Sequence, residues 1–104
     1  MDYFLTISDE ASANIKSTIE YLKREWSEKS VQKFRDDLIK CFDSIVANPE
    51  SFLLVDSTRG IRKCKASKYS SAYYRIKEDE IEIITVFDHR RDPERLKEVF
   101  TRFG

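Results

Sequence analysis

The chain has 104 residues, enough for one domain with a single core, and its 19 basic and 19 acidic residues cancel, so net charge gives no argument for nucleic-acid binding. Its two cysteines, Cys41 and Cys64, lack the spacing of zinc ligands, and no metal or cofactor is predicted. No apolar run approaches the roughly 18 residues of a membrane span and residues 1–7 are too short for a signal peptide, so we expect one cytoplasmic domain, residues 1–104, without membrane contact.

The first half of the chain predicts a short strand and two helices. Residues 2–7 are rich in Tyr, Phe, Leu and Ile, which favours a strand, and Ser8 has the position of a helix N-cap. The first helix carries an apolar stripe at spacings of three and four: Ala11, Ile15, Ile19, Leu22 and Trp26. A polar break, 27–30, ends in a second candidate cap, Ser30. The second stripe comprises Val31, Phe34, Leu38, Cys41 and Ile45, and Asn48-Pro49 ends the helix. The short connection predicts an antiparallel helical hairpin, with Trp26 and Cys41 in its core.

The second half predicts a sheet and a last helix. Residues 50–60 predict a loop whose apolar part, 52–55, covers the helix ends, and Gly60 predicts an unusual backbone conformation before a strand at 61–66. Two apolar runs flank a polar break at 77–80 and predict a β-hairpin with a loop longer than two residues.

Alternation assigns the faces of these strands. Ala72, Tyr74 and Ile76 should face the helices, and Tyr73 shares the opposite face with Arg75. The strand at 81–87 is too continuously apolar for an edge, and Pro93 fits the first turn of a short C-terminal helix. The predicted fold is α+β: an N-terminal strand, an antiparallel helical hairpin on a small, mainly antiparallel sheet, and a short C-terminal helix, in the order β-α-α-β-β-β-α.

The basic residues are concentrated in one stretch. Residues 59–77 contain seven basic residues and no acidic one, namely Arg59, Arg62, Lys63, Lys65, Lys68, Arg75 and Lys77. A metal-free set near the end of the sheet consists of Arg62, Lys63, Lys65, Tyr73, Arg75, His89, Arg90 and Arg91. Guanidinium groups could stabilise a phosphodiester there while His89 acts as general acid or base. The alternative interpretation is a solubilising sheet face with a hydrogen-bonded surface histidine.

The order of elements and several segments together resemble the RelE/ParE superfamily of bacterial toxins from toxin–antitoxin (plasmid stabilisation) systems. The segments that carry this resemblance are 19–26 (IEYLKREW), 48–50 (NPE), 60–62 (GIR), 74–76 (YRI) and 83–93 (IITVFDHRRDP). The superfamily contains ribosome-dependent mRNA endonucleases and inhibitors of DNA gyrase. Cys64 and Ser71 stand where the RNase members look as if they need basic residues, and no Tyr or His follows Arg91. These departures favour the ParE-like branch, which acts by binding a target such as gyrase.

The resemblance implies a cognate antitoxin whose acidic and apolar segment folds against the toxin. Contacts with the antitoxin or target are expected from Arg62, Lys63, Lys65, Tyr73, Arg75, Arg90 and Arg91. One alternative is a RelE-like endonuclease that cuts mRNA on the ribosome, with Arg62, Arg75, His89 and Arg90 as catalytic residues. A second alternative is a non-toxic member that only binds its antitoxin. Whether the chain is an enzyme stays open, and an enzyme of this kind would be a metal-free endoribonuclease.

Overall fold

A computed structural model describes residues 2–103, and Met1 and Gly104, the ends of the predicted domain, lie outside the described residues. The helices are α1 (Asp9–Glu25), α2 (Glu28–Ala47) and α3 (Pro93–Arg102); the strands are β1 (Phe4–Ile7), β2 (Leu53–Asp56), β3 (Ile61–Lys65), β4 (Ser70–Lys77) and β5 (Glu80–Asp88). They form one five-stranded sheet in the order β1-β5-β4-β3-β2, in which β1 and β5 are parallel and the other neighbours antiparallel. The predicted α+β fold is confirmed. No helix within residues 2–103 is long and apolar enough to cross a membrane.

Side-chain caps define where the helices begin. The Ser8 hydroxyl accepts a 3.0 Å hydrogen bond from the amide of Ala11, which confirms the predicted cap of α1. The cap of α2 is Ser27 and not Ser30, whose amide donates to the Ser27 hydroxyl at 3.2 Å. Asp92 caps α3, and Pro93 occupies its first turn as predicted.

The two faces of the sheet are covered by different helices. The helical hairpin, α1 and α2, packs on what we call the hairpin face, where the larger core cluster includes Tyr74, Cys64 and Ile83. Helix α3 packs on the opposite surface, the α3 face, where a second cluster contains Ile61, Tyr73, Ile84, Phe87 and Val99. The predicted opposition of Tyr74 and Tyr73 is therefore confirmed, and both sheet faces have an apolar core.

Three further local predictions are wrong. Residues 50–60 contain the edge strand β2 rather than only a loop; Phe52 packs against the core, but the Leu53 side chain is 68% exposed. Trp26 is also 68% exposed because it is the C-cap of α1 and lies beyond the last turn that packs. The β4–β5 connection has the two residues Glu78 and Asp79, with Glu78 at φ 57°. The predicted unusual conformation of Gly60 is confirmed by its φ of 70°.

A polar side chain from α1 stabilises an irregularity in β5. The register shifts between Tyr73, opposite Thr85, and Tyr74, opposite Ile83. Asn14 Oδ1 accepts hydrogen bonds at this point from the Thr85 hydroxyl at 2.7 Å and from the Val86 amide at 3.1 Å. These bonds satisfy polar groups where the ladder is interrupted, so Asn14 joins α1 to the bulged part of β5.

Replacing Tyr74 by phenylalanine is expected to lower the free energy of unfolding by about 1–3 kcal/mol. The buried Tyr74 hydroxyl donates a 2.6 Å hydrogen bond to the carbonyl of Pro49, which is itself buried and would lose that partner. Urea unfolding of the two proteins measures the difference. Tyr21→Phe is the matched control because Tyr21 is exposed, and equal losses in both variants would contradict the assignment.

Candidate functional site

The α3 face carries a cluster of basic residues beside the end of β5. Lys63 and Lys65 occupy alternate positions of β3 and pair with Tyr73 and Ser71 of β4, so all four side chains belong to the α3 face. The backbone amide of His89, just after β5, donates to the Tyr69 carbonyl at 2.7 Å, which fixes the histidine beside β4. We call Lys63, Lys65, Tyr73 and His89 the cationic cluster.

His89 is enclosed on one side by aromatic rings. Its Nε2 lies 3.4 Å from the Tyr73 hydroxyl, and its ring stands edge-on to Tyr73 and to Phe87, with centroids 6.0 and 5.7 Å away. Partial desolvation lowers the pKa of His89, and the positive charges of Lys63 and Lys65 lower it further. A histidine that is neutral at physiological pH can exchange a proton with a bound group, but its neutrality also removes one positive charge from the cluster.

Tyr73 is less available than its position in a charged strand predicts. Helix α3 covers it, so that it is 3% exposed, and its ring lies 5.4 Å from that of Phe100 in an edge-on contact. Burial raises the pKa of its hydroxyl to about 12. The phenol therefore stays protonated and lies at the inner wall of the cluster.

Arg90 and Arg91 lie on a different surface, at the mouth of a groove of about 660 Å³ between α1 and the end of β5. The guanidinium of Arg90 makes an ion pair with Asp88 at 2.6 Å and stacks 4.4 Å from the centre of the Tyr69 ring. Hydrogen bonding from Arg90 lowers the pKa of Asp88. Three arginines line the groove against two carboxylates, so a small excess of positive charge favours an acidic segment; these residues are Arg24, Arg90 and Arg91, and Glu20 and Asp88.

Arg62 projects to the hairpin face and away from the cationic cluster. It pairs with Tyr74 across β3 and β4. Its guanidinium donates to the carbonyl oxygens of Glu50 and Phe52, at 3.0 and 2.8 Å, where the chain leaves α2. Arg62 thus stabilises the backbone of the connection between α2 and β2.

The Arg75 side chain makes its contacts within the chain, beneath α3. Its Nε donates to Glu82 Oε1 at 2.9 Å, with the two side chains 16% and 21% exposed, and its guanidinium also hydrogen-bonds the carbonyl of Phe103. The same group lies 5.7 Å from the centre of the Phe103 ring. Arg75 therefore connects β4, β5 and the end of α3.

The structure thus brings part of the predicted site together and separates the rest. Lys63, Lys65, Tyr73 and His89 converge, whereas Arg62, Arg75 and the Arg90–Arg91 pair lie in three other places. The predicted site did not include Tyr69, which stacks on Arg90. The Ser71 hydroxyl is buried and has no hydrogen-bond partner among residues 2–103. The proximity of Tyr69 to Arg90 could have been found from the hairpin register, since Ser70 pairs with Asp88.

His89 predicts a pH dependence of stability. Since its pKa is lower in the folded chain than the usual 6.5, the folded state binds the proton less tightly than the unfolded chain. The associated stability is complete above about pH 6.5 and is lost as the pH falls through 6.5 toward the lowered value. Urea unfolding at pH 5 and pH 8 should show a smaller difference for His89→Asn than for the unchanged protein. An equal difference would contradict the expected contribution of His89.

Comparisons with known proteins were made for the sequence and for the fold. The family model of the ParE toxin of the type II toxin–antitoxin system parDE matches residues 5–93. No curated protein sequence matches the chain significantly. A structure of the chromosomal ParDE toxin–antitoxin system from P. aeruginosa is similar, with a TM-score of 0.69 and 19% identity over 84% of this chain and 96% of that chain.

Two further solved structures share the fold at lower identity. The E. coli DinJ-YafQ toxin–antitoxin complex has a TM-score of 0.60 at 13% identity, covering 86% of this chain and 96% of that chain. The YoeB-YefM complex from Staphylococcus aureus has a TM-score of 0.57 at 16% identity, covering 86% and 99%. Toxins from several systems therefore share this fold, so the fold alone does not identify the family. The sequence match to the family model does.

Proposed function

Because this chain belongs to the ParE toxin family of type II toxin–antitoxin systems, we propose that it acts in the cytoplasm by binding a protein target such as DNA gyrase, and not by cutting mRNA. The observation that carries this proposal is that two of the candidate arginines are already bound to other groups of the chain. Arg62 and Arg75, two of the four candidate catalytic residues, already bind backbone carbonyls or a carboxylate of the chain itself. Both guanidinium groups therefore already donate hydrogen bonds within the chain, which supports a structural role for them over stabilisation of a phosphorane.

The arrangement of the remaining candidates also supports binding. Phosphodiester cleavage needs charge-stabilising groups and a proton-transfer group within hydrogen-bond reach of one phosphate. His89 points toward Tyr73 in the cationic cluster, whereas the Arg90 guanidinium is held by Asp88 and Tyr69. A protein surface, by contrast, can contact the cluster and the groove at the same time.

An antitoxin encoded beside the toxin is the second partner, as in the toxin–antitoxin complexes of similar fold. We propose that its acidic segment neutralises Lys63 and Lys65 of the cationic cluster and the groove at Arg90 and Arg91. Opposite charges would accelerate association and align the two chains, while apolar contacts supply most of the affinity.

A gyrase supercoiling assay tests the proposed target. Purified toxin at saturating concentration should inhibit supercoiling of relaxed plasmid, and stoichiometric antitoxin should restore it. Full gyrase activity at saturating toxin would refute gyrase as the target. In a parallel assay with the same toxin preparation, a translation extract containing labelled mRNA should show no toxin-dependent cleavage.

His89→Ala separates binding from catalysis. Removing a general acid or base lowers a nuclease rate by about 10²–10⁴-fold, so the RNase alternative predicts loss of toxicity on induction in a bacterial host. The binding proposal predicts that the variant stays toxic. The control is Arg35→Ala, an exposed change on α2 that should leave toxicity unaltered. A chain that is harmless when induced without antitoxin, yet binds it, would favour the non-toxic alternative.

A further inference from the structure

Two thiols meet at the interface between the helical hairpin and the sheet. Cys41 of α2 and Cys64 of β3 are both free and buried. The Cys41 thiol donates a 3.7 Å hydrogen bond to the Cys64 carbonyl, so its sulfur lies against the backbone of Cys64. The two cysteines are 23 positions apart in the sequence, so a disulfide bond between them would join two separate elements.

An open cavity gives small molecules a route to this pair. Its volume is about 260 Å³, and both cysteines line it together with Lys40 and Lys65. Asp37 also lines the cavity and opposes the charge of Lys40, and the Lys65 side chain belongs to the α3 face, so the lining does not select a reagent by charge. The thiols are therefore buried within the fold, but they lie at the base of an accessible cavity.

We propose that Cys41 and Cys64 are a redox modification site, in which a small disulfide such as oxidised glutathione converts them into an intramolecular disulfide that links α2 to β3. The thiolate of one cysteine attacks a sulfur of oxidised glutathione and releases one glutathione thiolate. The second cysteine then attacks the mixed disulfide and releases the second glutathione. The protein loses two electrons and two protons, which reduce one oxidised glutathione to two glutathione molecules.

The local environment sets the speed of these steps. Burial raises the pKa of both thiols. Because little thiolate is present at neutral pH, oxidation should be slow and should accelerate as the pH rises.

The expected consequence is a more stable toxin. A disulfide that closes a loop of this length restricts the unfolded chain and raises the folding equilibrium constant by roughly a hundredfold. The link would leave the cationic cluster on the opposite face unchanged. The inference is independent of the toxin's cellular target.

The test uses the purified full-length chain and oxidised glutathione at pH 8. After reaction, the protein is denatured, alkylated with iodoacetamide and weighed by mass spectrometry, with a non-reducing gel run beside it. We expect a monomer that is two hydrogen atoms lighter and carries no alkyl group. Its urea midpoint should lie above that of the reduced chain and return on reduction.

Several results would overturn the proposal. They are a product that keeps glutathione on one cysteine, a disulfide-linked dimer, a fully alkylated chain, or equal urea midpoints of the oxidised and reduced proteins. Cys41→Ala is the matched variant, and it should stop at a mixed disulfide between Cys64 and glutathione. An unreactive Cys64 in this variant would show that the reagent does not reach the thiol through the cavity, which would overturn the proposal.

Discussion

Replacing Arg75 by methionine is expected to lower the free energy of unfolding by about 2–4 kcal/mol. Removing one partner of a buried ion pair costs about 3–5 kcal/mol, and the partial exposure of Arg75 and Glu82 reduces this figure. The change would leave the Glu82 carboxylate poorly solvated and the Phe103 carbonyl without its guanidinium donor. Urea unfolding, with the midpoint and the slope both recorded, measures the loss.

A double-mutant cycle shows whether the loss belongs to the pair. Arg75→Met and Glu82→Gln should each be destabilised, and the double variant should be more stable than the sum of the single losses predicts. Arg75→Lys should restore only part of the stability because a lysine lacks the planar fork that reaches two acceptors. A wild-type stability for Arg75→Met would refute the structural role and return Arg75 to the candidate catalytic residues.

The same variant bears on function. If Arg75 only supports α3 and the sheet, toxicity should fall in proportion to the folded fraction and should recover at lower temperature. If Arg75 contacts RNA or a target directly, toxicity should be lost even where the variant is fully folded. Circular dichroism on the purified variant, measured at the temperature of the toxicity assay, separates the two outcomes.

The elements that could be predicted from sequence are those whose side chains follow the period of their own secondary structure. Ile45 and Leu38 repeat with α2, and Tyr74 alternates with Tyr73 along β4, so their faces were correctly predicted. Strand β2 was missed because it lies at the sheet edge and leaves its apolar side chains exposed. An edge strand of four residues has no burial pattern to distinguish it from a loop.

The candidate site was less predictable because it depends on contacts between distant elements. Tyr73 looked accessible from its charged neighbours, but α3, which begins 20 positions later, covers it. Arg62 and Lys63 are adjacent in sequence and project to opposite faces, so a list of nearby basic residues does not define one surface. Asn14 lies beside the apolar stripe of α1, and a polar residue at this position could have indicated a hydrogen bond between α1 and the sheet.

Reversing two charges of the cationic cluster is expected to weaken antitoxin binding by about 3 kcal/mol, a roughly 100-fold rise in Kd. In the variant Lys63→Glu/Lys65→Glu, an acidic antitoxin segment would face like charge on the α3 face. Both side chains keep contact with solvent, so the change should leave the fold largely intact. Isothermal titration calorimetry against the neighbouring gene product measures the effect.

The matched control is Lys29→Glu/Lys33→Glu on α2, which changes the net charge equally on an exposed helix surface. It breaks the exposed ion pair of Lys33 with Asp37, whose contribution to stability is small. If local charge decides docking, the control should bind the antitoxin nearly as well as the unchanged protein, and added salt should narrow the gap between the two variants because it screens the repulsion. Equal losses of affinity in both variants would indicate long-range attraction by total charge. Unchanged binding by Lys63→Glu/Lys65→Glu would indicate that the antitoxin binds at the groove of Arg90 and Arg91 instead.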